Sequence, residues 1–440
     1  MKQRLPRIFL ILSVACSLGV FSNACRAGDA PFFLKDGDRV VFYGDSITAQ
    51  RLYTTLTETY VVTRFPLMKV DFIDSGWGGD KVSGGGGGVI DVRLPRDVFA
   101  HKPTVVTVML GMNDAGYHSF DDTAFAAFSK GYTHIVDQLE SNLPGLRITL
   151  IQSSPFDDAT RAPMFPGGYN AVLLRYGTFV QQLAAERKLG VVDFNAPVVQ
   201  ALEKANVLDP ATAEKVIPDR VHPGSAGHLI MAEALLRSWN APATVTTVEI
   251  DYPGKRVTQS LNSEVSDLNE AKILAWTELD QALPMPVDLD DPATNLILRS
   301  SDFTAALNQE LLTVKGLTNT NYTLTIDGTS VGNFTGAQLG GGINLALLHT
   351  PMAKQAKAVH ELIDKHNSLH ELRWRSIQVN LGQAKTEALI NAMPPMLAGL
   401  DAEEADVVGK LRALAQPVPH HYELLEASPL QAAPASPAAH

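Results

Sequence analysis

Four short segments of this 440-residue chain carry side chains able to act on a carbonyl carbon. FYGDSITAQ puts Gly44, Asp45 and Ser46 where an apolar strand gives way to a helix. Gly44 permits a tight turn, and Ser46 then opens the helix with its Oγ exposed beside free N–H groups. Asp45 reads as a helix cap. Far downstream, PDRVHPGSAGHLIMAEALL holds Asp219 and His222 three residues apart in a loop before a helix. Such a loop can aim an imidazole at a serine while the carboxylate holds the other ring nitrogen. His228 falls inside that helix and is the weaker base. Gly76 in IDSGWGGD and Asn113 in MLGMNDAG offer a backbone N–H and a side-chain amide, both suited to a developing oxyanion. Singly, each residue has a plain structural reading as a cap or a loop residue. Together they supply a nucleophile, a base, an orienting acid and donors, a coincidence that capping does not explain.

The elements that must position them alternate. RVVFY (39–43), KVDFI (69–73), TVVTVML (104–110), RITLIQ (147–152) and GVVDF (190–194) read as strands apolar on both faces, as buried parallel strands are. Helices are expected at about 50–63, 120–142, 169–188 and 225–238, with a further one near 91–99. This alternation predicts an α/β sandwich with right-handed crossovers, whose sites form at the carboxyl edge of the strands.

Past Asn240 the pattern changes. APATVTTVEIDY (241–252) reads as extended, about 266–281 as a helix, NYTLTIDGTSVGNFTG (321–336) as a hairpin and about 352–392 as helical. The expected organisation is a hydrolase domain over 31–240 and an α+β accessory region over 241–416. That region is either a separate module or packed back on the first domain. Residues 417–440 are Pro/Ala-rich and read as a disordered tail.

GDS at 44–46, the glycine block at Gly76, GMND at 111–114 and DRVH at 219–222 together resemble the SGNH/GDSL-type hydrolase superfamily. The resemblance covers about residues 37–240. It implies a three-layer α/β/α sandwich around a five-stranded parallel sheet, and a serine esterase needing neither metal nor cofactor. It further implies Ser46 as nucleophile, His222 as general base and Asp219 as its orienter. The Ser46 N–H, the Gly76 N–H and the Asn113 side chain would form the oxyanion hole. One departure stands out: many members carry Asn two residues before the block glycine, and this chain has Asp74.

Specificity must come from loops over the edge. The glycine run in SGGGGG (83–88) would either bend around a ligand or merely link to the next helix. In SSPFDDATRAPMFPGGYN (153–170), Phe156 and Arg161 are candidates to line a pocket. Trp77 either stacks on a sugar ring or packs in the core. The expected substrate is an acetylated carbohydrate. The alternatives are a lipase, lysophospholipase or thioesterase, and a non-catalytic glycan-binding or envelope protein.

Composition narrows the field. With 45% hydrophobic residues, wholesale disorder is excluded. A net charge of −11 without a basic stripe argues against a nucleic-acid partner. Lys2, Arg4 and Arg7 precede an apolar run from Ile8 to Phe21 and the small residues of SNACRA, the pattern of a secretory signal over 1–27 rather than a membrane span. Lipid attachment at Cys25 is the minor alternative. Removing this segment takes away both cysteines, Cys16 and Cys25, and four bases, moving the charge to −15. The protein is then expected in the periplasm or outside the cell, held together by its core alone. Oligomeric state is left open by the sequence.

Overall fold

The computed structural model describes residues 31–270, 273–318, 321–382 and 386–426. The expected signal segment, with Cys16 and Cys25, and residues 427–440 lie outside the described residues. Five parallel strands form the first sheet: β1 (Arg39–Gly44), β2 (Asp71–Gly76), β3 (Val105–Met109), β4 (Arg147–Gln152) and β5 (Gly190–Asp193). Their order is β2-β1-β3-β4-β5. β1, β3 and β4 were legible because residues such as Val40, Val41, Val106 and Leu150 are buried on both faces.

Helices flank the sheet. α1 (Leu52–Arg64), α5 (Asn195–Leu208) and α6 (Ser225–Ser238) pack together, as do α2 (Ile90–Asp97), α3 (Asp122–Asn142) and α4 (Gly168–Arg187). The result is the expected α/β sandwich. α5 was not expected; its NAPVVQALEKANVL buries Val198, Ala201, Leu202 and Ala205 along one stripe.

The second half is built from two further sheets. β6 (Thr244–Asp251), β7 (Arg256–Leu261), β10 (Gln309–Lys315) and β13 (Ile343–Asn344) pair in the order β13-β10-β6-β7. β8 (Ser263–Asn269), β9 (Leu274–Asp280), β11 (Tyr322–Ile326), β12 (Thr329–Phe334) and β14 (Pro419–Glu426) pair antiparallel in the order β8-β9-β14-β11-β12. The hairpin at 321–336 forms as expected, turning at Asp327 and Gly328, both at positive φ.

Two expectations are corrected. Residues 266–269 and 274–280 are in strands, not a helix. Trp276, Glu278 and Asp280 all point inward, and acids at inward positions disguise the two-residue period. The tail is not disordered from 417: β14 lies at the centre of its sheet, where Tyr422 stacks on Trp276 with ring centres 5.2 Å apart. His420, Tyr422 and Leu424 alternate inward, a signal masked by the prolines before them.

Nor does the core divide at residue 240. The described residues from 32 to 426 form one compact unit, and Met285, Leu296, Ile297, Phe303 and Leu307 join the core of the first sheet. α7 (Pro351–Glu371) lies along α1 and reaches β2, and α8 (Glu387–Leu414) packs on α7. The region after 240 is thus packed back on the first. Among the described residues, no helix is long and apolar enough to cross a membrane.

Where the two later sheets face each other, Glu310 on β10 is buried with both carboxylate oxygens unpartnered. Burial first, then nearby Asp280 and Glu278, hold its pKa well above the ordinary value, against the opposing pull of Arg64. The folded chain therefore keeps a proton that the unfolded chain releases, and stability falls as pH rises above the unfolded value. Glu310→Gln should be more stable than wild type at pH 8 and lose less stability between pH 5 and 8. Urea midpoints at both pH values check this; parallel losses in the two proteins would contradict it.

Candidate active site

The carboxyl ends of β1, β2 and β3 bring the expected segments to one edge. Gly44 closes β1 where a Cβ would meet Thr48 Oγ1 at 2.2 Å and the Met109 carbonyl at 2.9 Å. Only glycine lets the chain turn there. Asp45 caps the short helix Ser46–Ala49, its Oδ1 accepting from the Ile47 N–H at 3.0 Å. Burial raises its pKa to about 7, with Asp114 and Asp80 adding to the effect. The capping role expected for Asp45 is what the structure contains.

His222 arrives from the opposite end of the chain. Ser46 Oγ lies 2.8 Å from His222 Nε2, and His222 Nδ1 lies 2.6 Å from Asp219 Oδ2. An ionised carboxylate can only accept, so Nδ1 carries the ring proton and Nε2 is left to accept from Ser46. Burial would raise the Asp219 pKa, but hydrogen bonds from the His222 N–H, the His222 ring and the Val221 N–H bring it below its usual value. Arg220, at φ +72°, makes the turn that lets one Asp219 oxygen accept from both N–H groups. The side chains of His222 and Asp219 are 37% and 53% exposed, so the cleft is open to solvent.

Residues outside the expected set hold the two loops together. Gln50 Nε2 donates to the Pro223 carbonyl at 3.2 Å, and Gln50 Oε1 accepts from His228 Nε2 at 3.1 Å. His228 Nδ1 accepts from the Tyr53 N–H at 3.2 Å, and burial lowers its pKa to about 3. It is a neutral structural imidazole. Gln50 follows the nucleophile turn so closely that its polar side chain gave no separate signal in the sequence.

The donor side needs one correction. The Asn113 amide is held at both ends: its Oδ1 accepts from Tyr117 Oη at 2.8 Å, and Nδ2 donates one hydrogen to the Asp80 carbonyl at 3.0 Å. The second amide hydrogen has no acceptor among the described residues. Gly76 is different. Its N–H donates to Asp74 Oδ1 at 3.0 Å, and a Cβ there would sit 2.3 Å from the Ala49 nitrogen. It is a buried packing glycine, not an available donor. Gly79, three residues on, is exposed, has φ +79°, and would meet nothing within 4 Å of a Cβ. Among the described residues its N–H has no acceptor, and it adjoins Asp80, whose carbonyl holds Asn113. The available N–H groups of this loop therefore lie in GGD (78–80) rather than at Gly76.

Asp74 also bonds Thr54 Oγ1 at 3.2 Å, and burial lifts its pKa to about 7. In its neutral form it presents a carbonyl oxygen to the Gly76 N–H much as an Asn would. Arg93 is buried between Asp80 and Asp97 and donates to the Ser75 carbonyl at 2.7 Å, anchoring the loop that carries Gly79.

The three candidates for lining a substrate pocket have other duties. Trp77 is buried, with its faces taken by Arg375 and the Gly86–Gly87 backbone and Trp374 against it edge-on. The glycine run forms a small ribbon packed under that indole. Phe156 is buried against Tyr169 and Tyr117. Arg161 donates to the Ile217 and Glu214 carbonyls at 3.0 and 2.7 Å, bracing the approach to the His222 loop.

A parallel α/β sheet with a Ser-His-Asp relay and free donors at its carboxyl edge defines a serine hydrolase of the esterase type. Residues 42–230 match the model of the GDSL-like Lipase/Acylhydrolase family, so this part of the chain is of the GDSL/SGNH esterase and lipase type. An acetylxylan esterase of Geobacillus stearothermophilus is 28% identical over 225 residues, covering 46% of this chain and 93% of that one. A solved gut microbial diltiazem-metabolizing enzyme is 24% identical, with a TM-score of 0.78 over 90% of this chain and 98% of its own. That likeness extends the shared fold through the second half. A putative GDSL-like lipase from Parabacteroides merdae is 20% identical, with a TM-score of 0.40 over 48% of this chain and 100% of its own.

The glycine assignment is testable by folding alone. Gly76→Ala should cost about 1–3 kcal/mol of stability, because its Cβ meets backbone that cannot move aside. Gly79→Ala has open space and should cost only the strain of its positive φ, about 1–2 kcal/mol. Urea unfolding of both variants checks the order; a Gly76→Ala protein as stable as wild type would overturn it.

Proposed function

We propose that the protein is a serine esterase that removes acetyl groups from a carbohydrate through an acyl-enzyme. The observation that carries the reading is the unbroken relay from Ser46 Oγ to His222 at 2.8 Å and on to Asp219 at 2.6 Å. Ser46 attacks the ester carbonyl while His222 Nε2 takes its proton. The oxyanion that forms is met by the Ser46 N–H, the Gly79 N–H and the free Asn113 amide hydrogen. His222 then returns the proton to the leaving alcohol, and water activated by the same imidazole releases the acid. Asp219 stays ionised, keeping the correct tautomer and stabilising the imidazolium. The chemistry calls for no metal or cofactor.

Support for the acetyl and sugar part comes from the acetylxylan esterase relative. Support for export comes from the basic-then-apolar pattern of residues 1–21. A lipase or thioesterase would prefer long acyl chains instead.

Purified protein should release acetate from acetylated xylan or pectin and cleave nitrophenyl acetate faster than the octanoate ester. Ser46→Ala should abolish both activities and labelling by a fluorophosphonate probe. Faster cleavage of the octanoate would overturn the acetyl reading, and full activity in Ser46→Ala would overturn the mechanism. Asn113→Ala should lower kcat about 10²–10³-fold with little change in KM, since its donor acts on charge that exists only in the transition state. A change confined to KM would contradict that role.

A further inference from the structure

After α7 the chain runs through an eight-residue π-helical segment, Leu372–Val379. Such geometry is rare, and where it occurs it is frequently at functional sites. This segment delivers Trp374 and Arg375 to Trp77. The Trp77 backbone N–H donates to the Gly44 carbonyl at the end of β1 at 3.0 Å, and Trp77 lies two residues before Gly79. Trp374 meets the Trp77 ring edge-on at 5.6 Å and is fixed by its indole N–H, which donates to Asp97 Oδ1 at 2.7 Å. The Arg375 guanidinium lies 4.4 Å from the centre of the Trp77 ring.

The charges around that indole do not balance. Arg93 and Arg96 are within 6 Å of the ring, but Asp80 and Asp97 are their partners. Arg51, just past the nucleophile turn, pairs with Glu371. Among the described residues Arg375 has only that same Glu371, at 3.7 Å, and its N–H groups donate no hydrogen bond to them. Two arginines divide one carboxylate, so Arg375 is the surplus cation. Its side chain is 32% exposed. A guanidinium stacked on a ring is already ordered and keeps a planar fork of donors, which matches a carboxylate.

We propose that Arg375 is a specificity residue that binds the carboxylate of a uronate unit next to the scissile ester, so that the enzyme favours acetyl esters of acidic sugars over neutral ones. The proposal rests on the reading of this site as a carbohydrate deacetylase. No group transfer passes through Arg375; it contributes binding.

The test uses the full chain and two acetylated methyl glycosides, one a free uronic acid and the other its neutral uronamide. Acetate release is measured for wild type, Arg375→Gln and Arg375→Lys, with nitrophenyl acetate alongside. Wild type should prefer the acid by roughly tenfold in kcat/KM, the size of one charge-assisted contact. Arg375→Gln should bring that ratio close to one, chiefly through KM for the acid. Arg375→Lys should recover part of it, and added salt should lower it in wild type. A structural role alone would slow both sugars alike and leave the ratio untouched, which would overturn the proposal. A wild-type ratio near one, with nitrophenyl acetate still cleaved, would overturn it and leave the esterase reading standing. Failure of wild type to cleave any of the three esters would overturn both.

Discussion

A single hydrogen bond of 2.8 Å joins Ser46 to His222 across 176 positions of sequence, and much of the molecule is arranged to keep it short. Proton transfer needs that contact, and small displacements are costly to rate. The serine side is held by close packing: Gly44 lets the helix Ser46–Ala49 sit directly on the end of β1, and Gly76 lets β2 press on the same turn. The histidine side is a loop held by its own hydrogen bonds. Asp219 accepts from two backbone N–H groups and the ring, and the Arg220 carbonyl accepts from the Asp157 N–H at 2.9 Å. Gln50 ties one side to the other through Pro223 and His228. The open position of the dyad makes this scaffolding more necessary, because solvent competes for every exposed donor.

The second half of the chain supports that edge as well as adding bulk. β2 is the outer strand of the first sheet, an exposed edge unless covered. α7 lies against it, and His370 on α7 donates to the Asp74 carbonyl at 3.1 Å. Asn367 donates to Thr55 Oγ1 at 3.1 Å and Glu58 Oε2 at 3.2 Å on α1. Arg64, buried at the end of α1, donates to the Pro242, Thr244 and Leu307 carbonyls and so fixes the entry to the later sheets. The buried pairing of Arg93 with Asp80 and Asp97 belongs to the same design. Such a network carries a desolvation cost that offsets much of its attraction. Its return is orientation: Asp80 is immobilised, and its carbonyl aims Asn113.

How much was readable in advance follows from where each signal resides. β1, β3 and β4 are local runs of Val, Ile and Leu buried on both faces, and all five core strands were read with their edge residues. α5 was missed, and so were β8 and β9. In β9 inward Glu278 and Asp280 replace the apolar residues that reveal a strand, and what buries them is packing from distant segments. β14 was lost in a proline-rich stretch, since its alternation of His420, Tyr422 and Leu424 makes sense only beside β9 and β11.

The site divides the same way. The types and spacing of Ser46, Asp219, His222 and Asn113 determined the chemistry available, because nucleophile, base, acid and amide are properties of the residues themselves. Which glycine has a free N–H was decided by tertiary structure. Gly76 and Gly79 look alike in GWGGD, and only the positions of Asp74 and Ala49 distinguish them. Trp77, Phe156 and Arg161 were credible pocket residues until distant segments claimed them: Trp374 and Arg375, Tyr169, and the carbonyls at 214 and 217. Exposure is a property of what packs against a residue, and packing across hundreds of positions is not written in any local stretch of chain.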